Sequence, residues 1–162
     1  MTNNVQSDSQ PAVYFPDIED VADWFLSQAF LQHKKLQKLC YYAVAWHYAL
    51  LDRPLCSRDE FQAWVHGPVS PILFEKYKKY GWSQISQKEC GVDFRESAEV
   101  LAFVWESYKD LSQFQLENLT HEEFPWENAR ANYQEFEPSS DVISIDDMKN
   151  YYRKLHEDSQ ND

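Results

Sequence analysis

His121, Glu122 and Glu123 stand side by side in the run LTHEEFPWENAR, and a histidine next to two carboxylates invites a metal reading. The zinc-protease pattern needs a second histidine four residues on, where one helical turn brings it back to the same face. That position is Pro125. A histidine at a helix end, bonded to carbonyls or to a neighbouring carboxylate, is the reading the spacing supports. His47 lies among aromatic residues inside an apolar helical pattern, which suits a satisfied interior side chain better than a catalytic base. No nucleophile is marked by a motif such as GxSxG. Cys40 sits mid-helix between apolar neighbours, where burial raises a thiol pKa, so it reads as core packing.

Cys40, Cys56 and Cys90 are odd in number and lack CxxC spacing, so they suggest thiols of a reducing compartment rather than a disulfide framework or a zinc site. Only three glycines occur, which argues against a glycine-rich phosphate loop. The residues therefore predict no catalytic group, no metal and no cofactor. The formal net charge is −12, from 27 acidic and 15 basic residues. Residues 61–100 balance at five acids and five bases, whereas residues 101–162 hold fourteen acids and five bases. Nucleic-acid binding requires cations that displace phosphate counterions, so the balance argues against that class and favours a protein partner with a basic surface. Lys34, Lys35 and Lys38 and then Lys76, Lys78 and Lys79 form the basic clusters. They suit solvated helix faces, or contact with an acidic partner or RNA.

The elements that must position these groups are helical. The chain has 162 residues, about one domain, with a 43% hydrophobic and a high 16% aromatic fraction. No apolar run approaches the roughly 20 residues that span a bilayer, and the polar start MTNNVQSDSQP lacks the basic and apolar regions of a signal peptide, so a cytoplasmic protein is expected. Residues 1–13 read as a disordered segment, residues 14–156 as the domain and residues 157–162 as a solvated acidic tail. Asp17 and Asp20 suit the start of a first helix carrying Trp24, Phe25 and Ala29. Leu36, Leu39, Ala43, Trp46 and Leu50 recur at steps of three or four, with Cys40, Val44 and several tyrosines widening the stripe. A helix that apolar is expected at the centre of a bundle.

Ser57 and Glu60 match a capping box that would launch a short third helix through Phe61, Trp64 and Val65, stopped by Gly67 and Pro68. Ser70 and Pro71 suit the start of the next helix, with Leu73, Phe74, Tyr77 and Tyr80 inward and Gly81 at its end. Residues 82–93 read as loop with room for a minor hairpin around Gly91. Helices then follow over about residues 93–108, from Ser112 carrying Phe114, Leu116 and Leu119, from Trp126, and from Ser144. The expected fold is all-α: a compact single-domain bundle of about seven to eight helices around a central apolar one.

Four ordered blocks carry a resemblance. KLQKLCYYAVAWH from Lys35, FQAWVHGPVSPILFEKYKKYG from Phe61, LTHEEFPWENAR from Leu119 and ISIDDMKNYYRKL from Ile143 together resemble the signature of the Panacea antitoxin domain, the SocA or GepA-like phage-associated family. The likeness covers roughly residues 18–155. Cys40 stands where an aliphatic residue is usual and His66 where an aromatic is frequent. The resemblance implies a helical domain that neutralises a cognate protein toxin by direct contact, related to an adaptor antitoxin that hands its toxin to an AAA+ protease. Leu36, Leu39, Trp64, Gly67, Pro68 and Trp126 are also what a helical core and its corners require. Partner contact is expected at the corner His66, Gly67, Pro68, Val69 and Ser70, at Lys76 and Lys79, and at His121, Glu122, Glu123, Trp126 and Arg130.

Overall fold

Fourteen of the nineteen residues of one helix are buried, and the other elements pack around it. The computed structural model describes residues 14–161, so the expected N-terminal disorder lies outside the described residues. Among these are seven α-helices: α1 (Ile18–Gln28), the central α2 (His33–Leu51), α3 (Pro71–Tyr77), α4 (Ala98–Tyr108), α5 (Gln113–His121), α6 (Phe124–Ala129) and α7 (Ile145–Gln160). Two small antiparallel pairs complete the fold: β1 (Leu31–Gln32) with β4 (Gln84–Ile85), and β2 (Gln62–Trp64) with β3 (Gly67–Val69). The all-α reading holds. Helices α1, α4 and α7 lie against α2 and bury Phe25, Leu26, Leu101, Val104, Met148 and Tyr152 on it.

Local signals set the helix ends. Asp17 accepts from the Glu19 amide while Asp20 returns to the Asp17 amide, and Ser112 with Gln115 forms the same reciprocal cap on α5. Ser70 and Ser144 each accept from the third amide of the helix they open. Asp52 closes α2 in the left-handed conformation, φ 55°. His47 is fully buried, its ring nitrogens bonded to the Arg53 carbonyl at 2.7 Å and the Ser97 hydroxyl at 2.9 Å. Burial pushes its pKa down and pushes the Cys40 thiol up.

The expected third helix through Phe61 is a β-hairpin instead. Ser57 is already engaged: its amide donates to the Pro16 carbonyl at 2.8 Å and its carbonyl accepts from Ile18 at 3.1 Å, so no cap forms with Glu60. Burial then alternates, with Phe61 and Ala63 inside and Gln62 and Trp64 half-exposed, the period of a strand. The outer edge of β2 is occupied too, because the Ala63 amide donates to Asp141 and the Ile143 amide to Phe61. The suggested hairpin around Gly91 is likewise replaced by a long-range pair, Leu31 opposite Ile85 and Gln32 opposite Gln84.

Candidate partner-binding face

The hairpin places Gln62 opposite Val69, Ala63 opposite Pro68 and Trp64 opposite Gly67, leaving Val65 and His66 at its tip. Gly67 takes φ +111°, which an L side chain rarely adopts, and a Cβ there would lie 2.6 Å from the Lys38 Cε. The absence of that Cβ lets the Lys38 side chain of α2 pass under the hairpin. Lys38 is only 3% exposed, its ammonium held by one long bond of 3.4 Å to the Pro68 carbonyl, and burial pushes its pKa down to about 8. The Gln37 side chain fixes the exit of the hairpin by accepting from the Ser70 amide at 2.8 Å and donating to the Ser70 carbonyl at 3.0 Å.

From the other side the hairpin is held by the Pro-Trp block. The Trp126 indole donates to the Trp64 carbonyl at 2.9 Å, and buried Arg130 donates to the Ala63 carbonyl at 2.9 Å and to the Glu137 carbonyl at 2.6 Å. His121 stacks on Trp126 with ring centres 3.9 Å apart, and burial lowers its pKa. Trp126→Phe keeps a ring under His121 and removes the donor to Trp64. It is expected to cost about 1 kcal/mol in urea denaturation; an unchanged midpoint would mean that the bond contributes nothing.

The expected contact residues therefore fall in different surroundings. His66 is exposed and pairs with Glu117 at 2.8 Å. Gly67, Pro68, Val69 and Ser70 are buried beneath it. Lys76 and Lys79 are exposed on the face of α3 and the turn after it, Lys76 pairing with Glu19 at 3.2 Å and Lys79 lying over Tyr80. Glu122 is exposed, whereas Glu123 is buried and accepts hydrogen bonds from Tyr42 at 2.7 Å and Tyr152 at 3.0 Å. The Tyr152 and Tyr41 hydroxyl oxygens lie 3.2 Å apart, within hydrogen-bond distance, and Tyr42 stacks on Tyr108 at 4.1 Å. Desolvation raises the Glu123 pKa to about 7 against the two hydroxyl bonds that lower it. Trp126, Arg130 and Glu123 thus act on the hairpin and the core.

Two rings that sequence reasoning did not place at the site complete the exposed face. Trp82 is 67% exposed and Phe114 55%, with centroids 6.3 Å apart, and the Lys34 ammonium lies 5.0 Å over the Trp82 ring. With His66, Lys38, Gln113 and Glu117 they line a cleft of about 230 Å³. Phe114 is outside because the buried stripe of α5 runs through Gln113, Leu116 and Thr120. A paired exposed tryptophan and phenylalanine bordered by charges is the composition of an interface anchor.

No helix among the described residues is long and apolar enough to cross a membrane. Compared with known families, residues 36–127 match the antitoxin SocA-like, Panacea domain. That stretch runs from α2 through the hairpin, α4 and α5 into α6, and contains the residues lining the cleft apart from Lys34, together with Trp126, which holds the hairpin. No curated protein matches the chain, and no solved structure matches it.

Proposed function

The chain belongs to the SocA-like Panacea antitoxin family, and on that premise we propose that it is a non-enzymatic antitoxin that neutralises a cognate protein toxin by direct binding. The observation that carries the reading is the cleft of Trp82 and Phe114 beside His66, within the family-matched residues. Aromatic side chains lose little entropy on binding and shed much apolar surface, which makes them effective anchors. Lys34, His66 and Glu117 around them supply a polar rim that can fix register. The overall charge of −12 suits a basic partner surface and speeds encounter with it.

Co-expression with the product of the adjacent gene tests the function. Growth is expected to stop with that product alone and to recover when this chain is present. A product that is harmless alone, or that stays toxic beside this chain, overturns the reading. The fate of the toxin separates two mechanisms: recovery as a stable complex supports neutralisation by contact, whereas disappearance in cells carrying an AAA+ protease moves the reading to delivery.

A further inference from the structure

On the other side of His66 lies a second and larger cavity, about 620 Å³, within the range of small-molecule sites. It shares Lys34, Lys38 and His66 with the aromatic cleft as a common wall. Its remaining walls are largely apolar: Trp64 and Phe74 meet edge to face with centroids 4.9 Å apart, Val69 flanks them, and Pro138 closes one rim. In a chain with 27 acidic residues, no aspartate or glutamate among the described residues lines this cavity, whereas two lysines do.

Most of its polar groups are already satisfied. The Trp64 indole donates to Gln62 at 2.9 Å, and the Gln37 amide is spent on Ser70. Lys38 is one exception, a buried ammonium with three donors and a single 3.4 Å bond. The His33 ring in the same wall also leaves Nδ1 without a partner among the described residues. Glu117 beyond the shared wall favours the Lys38 charge without an ion pair to it, so an anionic acceptor in the cavity would supply the direct partner that the ammonium lacks.

We propose that this cavity binds a small organic acid, its aromatic body lying against Trp64 and Phe74 and its carboxylate accepting from the Lys38 ammonium. A polyphosphate is disfavoured because one buried lysine in apolar walls offers too few donors for several charges. A carboxylate on a flat apolar body matches both the walls and the one buried lysine. The site does not depend on toxin neutralisation, since its anchoring rings, Trp64 and Phe74, are not those of the Trp82–Phe114 cleft.

The full chain is titrated with naphthylacetate and, in parallel, with the uncharged naphthylacetamide, followed by amide NMR. Saturable shifts centred on Gly67, Ser70 and the Trp64 indole are expected, with the acid binding at least about tenfold more tightly than the amide because only it makes a charge-assisted bond. Lys38→Met is expected to abolish that preference, and Phe74→Ala to weaken both ligands. The acid-to-amide comparison needs only the wild-type protein, so a variant that fails to fold leaves the test intact. Absence of saturable shifts at millimolar acid overturns the proposal, as does equal binding of acid and amide. Shifts confined to Trp82 and Phe114 overturn it too, because they assign the ligand to the other cleft. Growth rescue by wild-type chain is scored separately, so failure of this site and failure of the antitoxin reading give different patterns.

Discussion

Glu123→Gln is expected to be more stable than the wild-type protein at pH 8 by about 3 kcal/mol, and equally stable at pH 4. The Glu123 carboxyl is buried against Tyr42 and Tyr152, and desolvation lifts its folded-state pKa from the ordinary 4.5 to about 7. Below 4.5 both folded and unfolded chains hold the proton, and the carboxyl contributes nothing to the difference. Between 4.5 and 7 the unfolded chain releases the proton while the folded chain keeps it, so unfolding becomes easier with each step of pH. Above 7 the loss is complete. Glutamine resembles the protonated form, still accepts from both tyrosine hydroxyls and does not titrate. Surface carboxylates whose pKa values are lowered, Asp17 beside Arg58 and Asp52 beside Lys149, act in the opposite direction but cancel in the difference between the two proteins. Urea denaturation across this pH range measures it, and parallel curves for the two proteins would show that Glu123 is not held protonated.

Gly67→Ala is expected to destabilise the fold by about 3 kcal/mol, from backbone strain and overpacking together. The new Cβ meets φ +111°, lies 2.6 Å from the Lys38 Cε and 3.1 Å from the Thr120 hydroxyl. The two causes are separable. In a Lys38→Ala background the clash with Lys38 is gone and the backbone strain stays, so the cost of Gly67→Ala should shrink without vanishing. Equal costs in both backgrounds would mean that Lys38 does not run beneath the hairpin.

Local chemistry made the helix ends legible: Asp17 with Asp20, Ser112 with Gln115, Ser70 before Pro71 and Ser144 all cap as their spacing implies, since each cap is complete within four residues. The wide apolar stripe of α2 likewise announced its central place. The hairpin was hidden because its competitors are distant: Pro16 takes the Ser57 amide that would have capped a helix, and Asp141 and Ile143 pair with the outer edge of β2. Lys38 reads as a solvated lysine until Gly67, twenty-nine positions on, is seen to make room for it.

At the site, His66 was visible in sequence, but Trp82 and Phe114 were not, because hydrophobic periodicity assigns large apolar residues to the interior. Gln113 takes the buried position on α5 and turns Phe114 outward. Trp126 and Arg130, expected at the partner, hold backbone carbonyls of the hairpin and positions beyond it. The Pro-Trp block thereby positions His66 beside the aromatic cleft.

Calorimetric titration of the toxin into this chain and into its Trp82→Ala and Phe114→Ala variants tests the central claim most directly. Both side chains are largely exposed, so folding should be little affected. A stoichiometric complex with wild-type protein is predicted, weakened by about 2 kcal/mol or more, roughly thirtyfold in Kd, by each substitution. Binding of both variants with wild-type affinity would place the toxin elsewhere on the surface, and no binding by the wild-type chain would contradict neutralisation by contact.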